Sequence, residues 1–419
     1  MTTLIPKVQQ TGTGAVNRAI NLKLNETVSV KDFGAVGDGT TDDTDAINNA
    51  LTAGSCIYIP AGTYKITSTL YVSAGKKIYG DGVSTIIKPY LASGSAAFTV
   101  GNPANNVLSY GCQVTDLQIS PPSSYTGTIG VLIYSCVGGY FSNIEIQPSD
   151  TNMSITGFKF DGGESGFFNI FENCLCNHTH IGFHMTSTGA SFPTCQTFIG
   201  CSSLGDNTSG DTTSIGFFFE VVAGFRSCGN DSVIIGGNVE SCGTGVSIIN
   251  FNSLTVTGLR FEGNTIDIQG GAFTSSCNFI SCKNIEITNT FLIVNAGYGR
   301  NSFYGCTGTA GITNANGNAE INYSFAVDQT PQTIIAHTAQ TAALSKWVSS
   351  TGSIISQVNA NGTITTGGAY GVANTVTIQG GTATTVGAAG GASALPATPL
   401  GYLPWVVGST TVKIPYYND

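Results

Sequence analysis

Bulky apolar residues recur along the middle of the chain in two short patterns. The first is an apolar residue, two others, then Cys or Asn. It occurs at Phe171 to Cys174, Phe198 to Cys201, Val239 to Cys242, Phe261 to Asn264, Phe279 to Cys282 and Phe303 to Cys306, with steps of 27, 41, 22, 18 and 24 residues between fourth positions. The second is Gly or Thr followed by an apolar–any–apolar triplet. It begins at Gly130, Gly157, Gly182, Gly216, Gly245 and Thr265, with steps of 27, 25, 34, 29 and 20. Alternation of period two marks a strand with one buried face. Short strands separated by Gly and Asn, repeating every roughly 20 to 35 residues, predict an all-β parallel solenoid. An antiparallel sandwich or propeller fits less well, because Asn-Gly hairpin turns are rare here. Stacked coils place equivalent residues about 4.8 Å apart. The Cys174, Cys201, Cys242, Cys282 and Cys306 series therefore predicts one interior ladder. The 41-residue step predicts a protruding polar loop across residues 202–214.

Composition narrows the alternatives. Only 9% of residues are charged and 55 are Gly, which disfavours long helices with charged surfaces. A hydrophobic fraction of 41% excludes a disordered chain. No apolar run is long enough to span a bilayer, so no membrane insertion is expected. Residues Met1 to Gln10 lack the layout of a signal peptide. A net charge of −9 without a Lys/Arg cluster argues against nucleic acid and anionic lipid as partners. Twelve Cys contain no Cys-x-x-Cys pair, and His number only four. Zinc-type spacing is absent, so neither a metal nor a cofactor is expected, and the thiols read as small buried hydrophobes.

The stretch Val30 to Ile47 is the most informative in the chain. It reads as a short strand, a Gly/Asp turn and a helix start, with Thr41, Asp42 and Asp43 as capping residues. Ala46, Ile47, Ala50 and Leu51 form an apolar stripe suited to covering the open end of a solenoid core. The string Asp32 to Ile47, followed by Ile59-Pro60-Ala61-Gly62-Thr63-Tyr64, resembles the entry into the pectate-lyase-like right-handed parallel β-helix of bacteriophage tailspikes. Ile5 to Arg18 is similar to the particle-attachment segment of phage and prophage tail proteins. Pro399 to Trp405 and Lys413 to Tyr417 look like the tip of such proteins.

The resemblance implies a homotrimer attached through its N-terminus to a phage tail or baseplate. It implies synthesis in the bacterial cytoplasm, residence in the virion and action at the host surface on capsule, exopolysaccharide or O-antigen. The expected organisation is an attachment segment at 1–28, a right-handed parallel β-helix at 29–320, and a trimerisation and tip region at 321–419. In the last, Lys346 to Ile355 and Asn359 to Thr365 read as strand, Asn-Gly turn, strand. Gly367 to Ala394, almost all Gly, Ala, Thr and Val, reads as a segment that intertwined chains could pack and a single chain could not, with a flexible linker as the alternative.

Solenoid geometry turns alternation into a surface map. The middle residues of the triplets point outward: Leu132, Lys159, His184, Phe218, Ser247 and Asp267. Two positions later come Tyr134, Asp161, Thr186, Glu220, Ile249 and Gln269. Asp161 and Glu220 then lie two coils apart, about 9 to 10 Å, near the separation of inverting glycosidase carboxylates. In the first pattern the second position gives Glu172, Ile199, Glu240, Glu262, Ile280 and Tyr304. Glu240 and Glu262 fall on neighbouring coils about 5 Å apart, with Asn238 and Arg260 on the same outward face. That spacing fits a retaining pair, in which one carboxyl holds a proton and acts as acid.

Glu240 and Glu262 are thus the first candidates for catalysis, with Asp161, Glu220 and His184 as second choice. Arg260, Asn238, Lys159 and Phe218 are candidate sugar contacts. The expected function is hydrolytic depolymerisation of a bacterial surface polysaccharide. A lyase using His184, Lys159 or Arg226 and a non-catalytic receptor-binding fibre are the alternatives. An exterior salt bridge of Arg260 with one Glu is the plain structural reading of the first cluster.

Overall fold

The computed structural model describes residues 6–283, apart from 102–107, 126, 150–153, 162–165, 187–192, 206–211, 221–230, 250, 252 and 271–276. Beyond residue 284 it describes residue 399 and short strands. Contacts divide the chain into two units, Met1–Ser345 with Val358–Thr363, and Lys346–Gln357 with Ile364–Asp419.

In the first unit each turn of chain contributes up to three short strands, and each strand pairs in parallel with its equivalent one turn later. A first face contains Ile170–Glu172, Thr197–Ile199, Ser232–Ile235, Leu254–Thr257 and Asn278–Ile280. A second contains Leu175–Asn177, Ser202–Leu204, Asn238–Glu240 and Arg260–Glu262. A third is an eight-stranded sheet in strict sequential order from Leu70–Val72 to Ile266–Gly270. In earlier turns Gln113–Ile119 and Tyr140–Ile146 run across the corner between the first two faces. This is the parallel β-helix expected from the repeats.

The corners explain the Gly and Asn usage. Asp116, Asn143, Asn173, Gly200, Gly236, Gly258 and Ser281 stack at one corner in the left-handed region, with φ between 51° and 68°. Gly and Asn adopt that conformation most cheaply. At Gly200 space is also limiting, since a Cβ would lie 2.7 Å from Asn173 Oδ1 of the preceding turn.

Phe residues fill the interior. Phe141, Phe171 and Phe198 stack at 4.8 and 5.0 Å along the first face, and Phe158, Phe183 and Phe217 at 5.2 and 4.6 Å along the third. The two columns meet edge to face, as Phe183 and Phe198 do at 5.5 Å. Each such pair is worth about 0.5–1.5 kcal/mol beyond its buried area.

Three expectations need correction. The Phe/Val-x-x-Cys/Asn series is not one ladder. Phe171 and Phe198 belong to the first face and continue as Ile234, Val256, Phe279 and Phe303, at steps of 27, 36, 22, 23 and 24 residues. Val239 and Phe261 belong to the second face, in register with Cys176 and Ser203. Cys242 therefore follows the next corner, while Cys174, Cys201 and Cys282 share the first. Secondly, the 202–214 segment is not all loop, because Ser202–Leu204 is a strand of the second face. Thirdly, Ser247 is in register with Gln269, not Asp267. Asp267 occupies the place held by Gly245 one turn earlier. It is 3% exposed, and its carboxylate accepts a hydrogen bond from Asn264 Nδ2 at 2.9 Å.

The eleven cysteines among the described residues are all free thiols. Burial pushes Cys174 and Cys176 well above the usual thiol range and Cys277 up to about 12, which suits apolar packing rather than reactivity. At the N-terminal end, helix Thr44–Ala53 buries Ile47, Ala50 and Leu51 and packs on Val28–Ser29 and Leu70–Val72. Asp42 alone of the expected capping acids bonds a helix amide, that of Thr44 at 3.1 Å. Asp43 instead accepts from the amides of Val36 and Gly37 at 2.6 and 3.0 Å.

Towards the C-terminus the strands Ser345–Val348, Ile354–Val358 and Ile364–Thr366 form a three-stranded sheet. Gly401–Val407 and Thr410–Tyr416 form an antiparallel hairpin. The strands flanking Asn361-Gly362 are neighbours, but the expected first strand, Lys346 to Ile355, is replaced by two paired strands, Ser345–Val348 and Ile354–Val358, while the turn itself and Gly367 to Ala394 lie outside the described residues.

Candidate functional site

Two groups of chemically active side chains stand on different faces. On the second face the three-residue strands bury their middle residue, Val239 or Phe261, and turn the flanking residues outward. Asn238 is in register with Arg260, and Glu240 with Glu262. The two glutamates thus occupy neighbouring strands, about 4.8 Å apart by backbone spacing. Each is held by the residue two places before it. Asn238 Nδ2 donates to Glu240 Oε2 at 3.0 Å, and Arg260 forms an ion pair with Glu262. Arg260 and Glu262 are each 44% exposed. One carboxylate is therefore paired with a cation and the other with a neutral amide, on an open surface. Both the expected cluster and the salt bridge of the plain reading are present in this one arrangement.

On the third face Lys159, His184 and Phe218 are in register on consecutive strands. His184 stacks on Phe218 with ring centroids 4.9 Å apart and is only 8% exposed. Its Nε2 lies 2.8 Å from Glu220 Oε1. Lys159 pairs with Asp161. Asp161 and Glu220 are two strands apart, as the alternation predicted. The group is two closed pairs rather than a set of free acids and bases.

Phe218 and Lys159 do not share a face with Glu240 and Glu262, so the second face takes only Arg260 and Asn238 of the expected sugar contacts. Arg226 lies outside the described residues. His178 sits with φ 52° at the corner between Leu175–Asn177 of the second face and Ile181–Met185, the strand of the third face that carries His184. Among the described residues no group of three or more His, Cys, Asp or Glu is placed to hold a metal.

The hydrogen bond from His184 holds the Glu220 carboxyl below the usual range, against the opposing effect of burial, with help from Thr186 and the charge of Lys159. A depressed folded-state value means the stabilisation is present above the ordinary carboxylate range and is lost as pH falls through the folded value. Glu220→Gln should therefore cost about 1 kcal/mol at neutral pH. The cost should vanish in acid below that range. Chemical denaturation of both proteins at neutral and acidic pH reads the difference directly.

Sequence reasoning missed a cationic pair. Lys65 and Lys88 are in register on the second face, and both lie over the ring of Tyr90. The signal was available in the 23-residue interval between them, one coil long.

Comparison with known proteins agrees with this architecture. The tail spike protein of an Escherichia phage is 51% identical over 55 residues, 13% of this chain and 7% of that protein. Alginate lyase 7 of Azotobacter vinelandii is 34% identical over 200 residues, 38% of this chain and 23% of that protein. This chain thus spans less than a quarter of the length of either relative. Among solved structures, the gp42 tailspike of Acinetobacter phage vb_AbaP_AS12 aligns over 76% of this chain and 67% of its own, with a TM-score of 0.50 at 11% identity. The family model described as "Rhamnogalacturonase A/epimerase, pectate lyase-like" matches residues 27–272. That span takes in every described strand of the three faces from Val28–Ser29 to Ile266–Gly270, and both candidate groups, and the chain accordingly belongs to the rhamnogalacturonase A/epimerase family of pectate-lyase-like proteins.

Proposed function

We propose that this chain is the polysaccharide-acting part of a phage tailspike, and that it cleaves a bacterial surface glycan by hydrolysis at Glu240 and Glu262. The observation that carries the reading is the register of those two glutamates on adjacent strands of an open face, each anchored by its own partner. Glu262, paired with Arg260, is assigned as the charged nucleophile or base. Glu240, held by the neutral Asn238 amide, is assigned as the proton donor. Family membership and the short match to a tail spike protein support the setting. The homotrimer, N-terminal attachment to the tail, the virion location and action at the host surface belong to the same proposal, as do the boundaries at 28 and 320.

A lyase centred on His184 is the second reading. It is favoured by the placement of His184 between Lys159 and Phe218 and by the similarity to an alginate lyase. A base near a cation is what abstraction beside a uronate requires. The fold does not separate the two chemistries. Incubation with capsule, exopolysaccharide or O-antigen of a susceptible host separates them. Hydrolysis is expected to yield reducing ends without the ultraviolet absorbance of an unsaturated uronate. Absorbance rising with reducing ends supports the lyase. Binding without either product leaves a non-catalytic receptor-binding protein.

A further inference from the structure

At the N-terminal end of the second face two lysines stand side by side. Lys65 and Lys88 occupy equivalent outward positions on neighbouring strands, about 4.8 Å apart along the axis. Their ammonium groups lie 5.1 and 5.9 Å from the centroid of Tyr90. Tyr90 packs edge-on against Tyr125 at 5.1 Å. Neither lysine makes an ion pair with a described residue. Asp42 is in register with Lys65 and feels its charge. Its oxygens, however, already accept from the Thr44 amide and hydroxyl and the Thr67 hydroxyl.

In a chain of 15 basic and 24 acidic residues, adjacent cations that form no ion pair with a described residue are unexpected. They repel each other across this gap. A shared aromatic ring offsets only about 0.5–1 kcal/mol per contact at such sites. A bound carboxylate would remove the repulsion, with one oxygen accepting from each ammonium group.

The position of the pair gives it meaning. The same outward row continues from Lys88 through Ser120, Gln147, Asn177 and Leu204 to Glu240. Five strand spacings separate Lys88 from Glu240, about 24 Å. The row between them carries no charge. Glu145, in the parallel outward row, is an acid that a chain laid along this face would pass.

We infer that Lys65 and Lys88, flanked by Tyr90 and Tyr125, form a carboxylate-binding subsite, and that the glycan taken by this face is acidic, with a uronic acid about 24 Å from the glutamate pair. The inference rests on the proposed polysaccharide-acting role of the face. The two ammonium groups bind the carboxylate, and the tyrosine rings offer an apolar surface to the sugar.

The test is calorimetric binding to the full chain at low ionic strength. The probes are a decamer of α-1,4-linked galacturonate and the same decamer after carboxyl reduction. The acidic decamer is expected to bind, and the reduced one to bind much more weakly. Lys65→Gln and Lys88→Gln should each weaken the acidic decamer about tenfold, the equivalent of one charged hydrogen bond. Arginine at either position should restore it. Equal binding of both decamers, no binding of the acidic decamer, or indifference to the lysine substitutions overturns the inference. Cleavage assays on Glu262→Gln and on the double lysine variant keep the two proposals apart. Normal cleavage by Glu262→Gln with lysine-dependent binding intact removes only the catalytic assignment. Lysine-independent binding with loss of cleavage in Glu262→Gln removes only the subsite.

Discussion

Glu262→Gln is expected to slow depolymerisation about a thousand-fold, the middle of the range for loss of a positioned acid or base. Glutamine keeps the shape of the side chain and removes its charge. The substitution gives up an exposed ion pair with Arg260, worth no more than about 1 kcal/mol to the fold. The variant should therefore melt within a few degrees of the parent, so that lost activity cannot be ascribed to unfolding. Glu240→Gln should be comparably impaired, and the double variant little worse than either single one, because paired catalytic groups act as a unit. The measurement is release of reducing ends from host polysaccharide, with binding checked on the same preparations. Full activity in both single variants would transfer the chemistry to the third face, where Glu220→Gln and His184→Asn become the decisive substitutions.

The largest effect on stability is expected at Phe198. Its side chain is fully buried. It stacks on Phe171 at 5.0 Å and meets Phe183 and Phe217 edge-on at 5.5 and 5.6 Å. It therefore joins the aromatic columns of the first and third faces. Phe198→Ala should cost about 3–5 kcal/mol, the transfer loss plus the cavity left in a core that cannot collapse along a hydrogen-bonded stack. Phe198→Leu should recover more than half of that. Because a solenoid's stability is carried by contacts between neighbouring turns, the damage should be local at first. Proteolysis should then open the chain near residues 170–235 before the N-terminal turns. The half-life of the native protein at elevated temperature is the appropriate readout if unfolding proves irreversible. An alanine variant as durable as the parent would mean that the columns do not bear on the core.

Much of the fold could be read from patterning. The triplets at Gly130, Gly157, Gly182, Gly216 and Gly245 fall in register on one sheet. Two neighbouring turns of the second face follow the pattern as well, which is why Glu240 and Glu262 stand in register as expected. The first pattern failed elsewhere because two faces use the same local code. A buried aromatic or valine, an outward residue, a left-handed corner and an inward Cys occur both at Phe198 to Cys201 and at Val239 to Cys242. Nothing in four residues says which corner they turn. The Thr265 unit failed for a related reason. Asp267 fills a place that the preceding coils give to Gly, so matching apolar letters alone shifts the alignment by two.

Side-chain partnerships were less legible still. The buried Asn169 and Gln196 bond to each other at 3.0 Å across adjacent turns, and each also binds backbone carbonyls, of Cys136 and of Gly166 and Thr194. Buried amides must be paired, and their partners lie a full coil away.

The repeat, the period-two strands, the Gly and Asn corners and hence the parallel β-helix are written in the residue pattern, because these depend on local conformational preference and on which face of a strand is apolar. Tertiary structure alone decided which face each unit joins, that Lys159 and Phe218 stand apart from Glu240 and Glu262, and that Lys65 and Lys88 share a row with the glutamates. Those facts depend on the number of residues spent in each loop between strands, and loop length varies at little energetic cost.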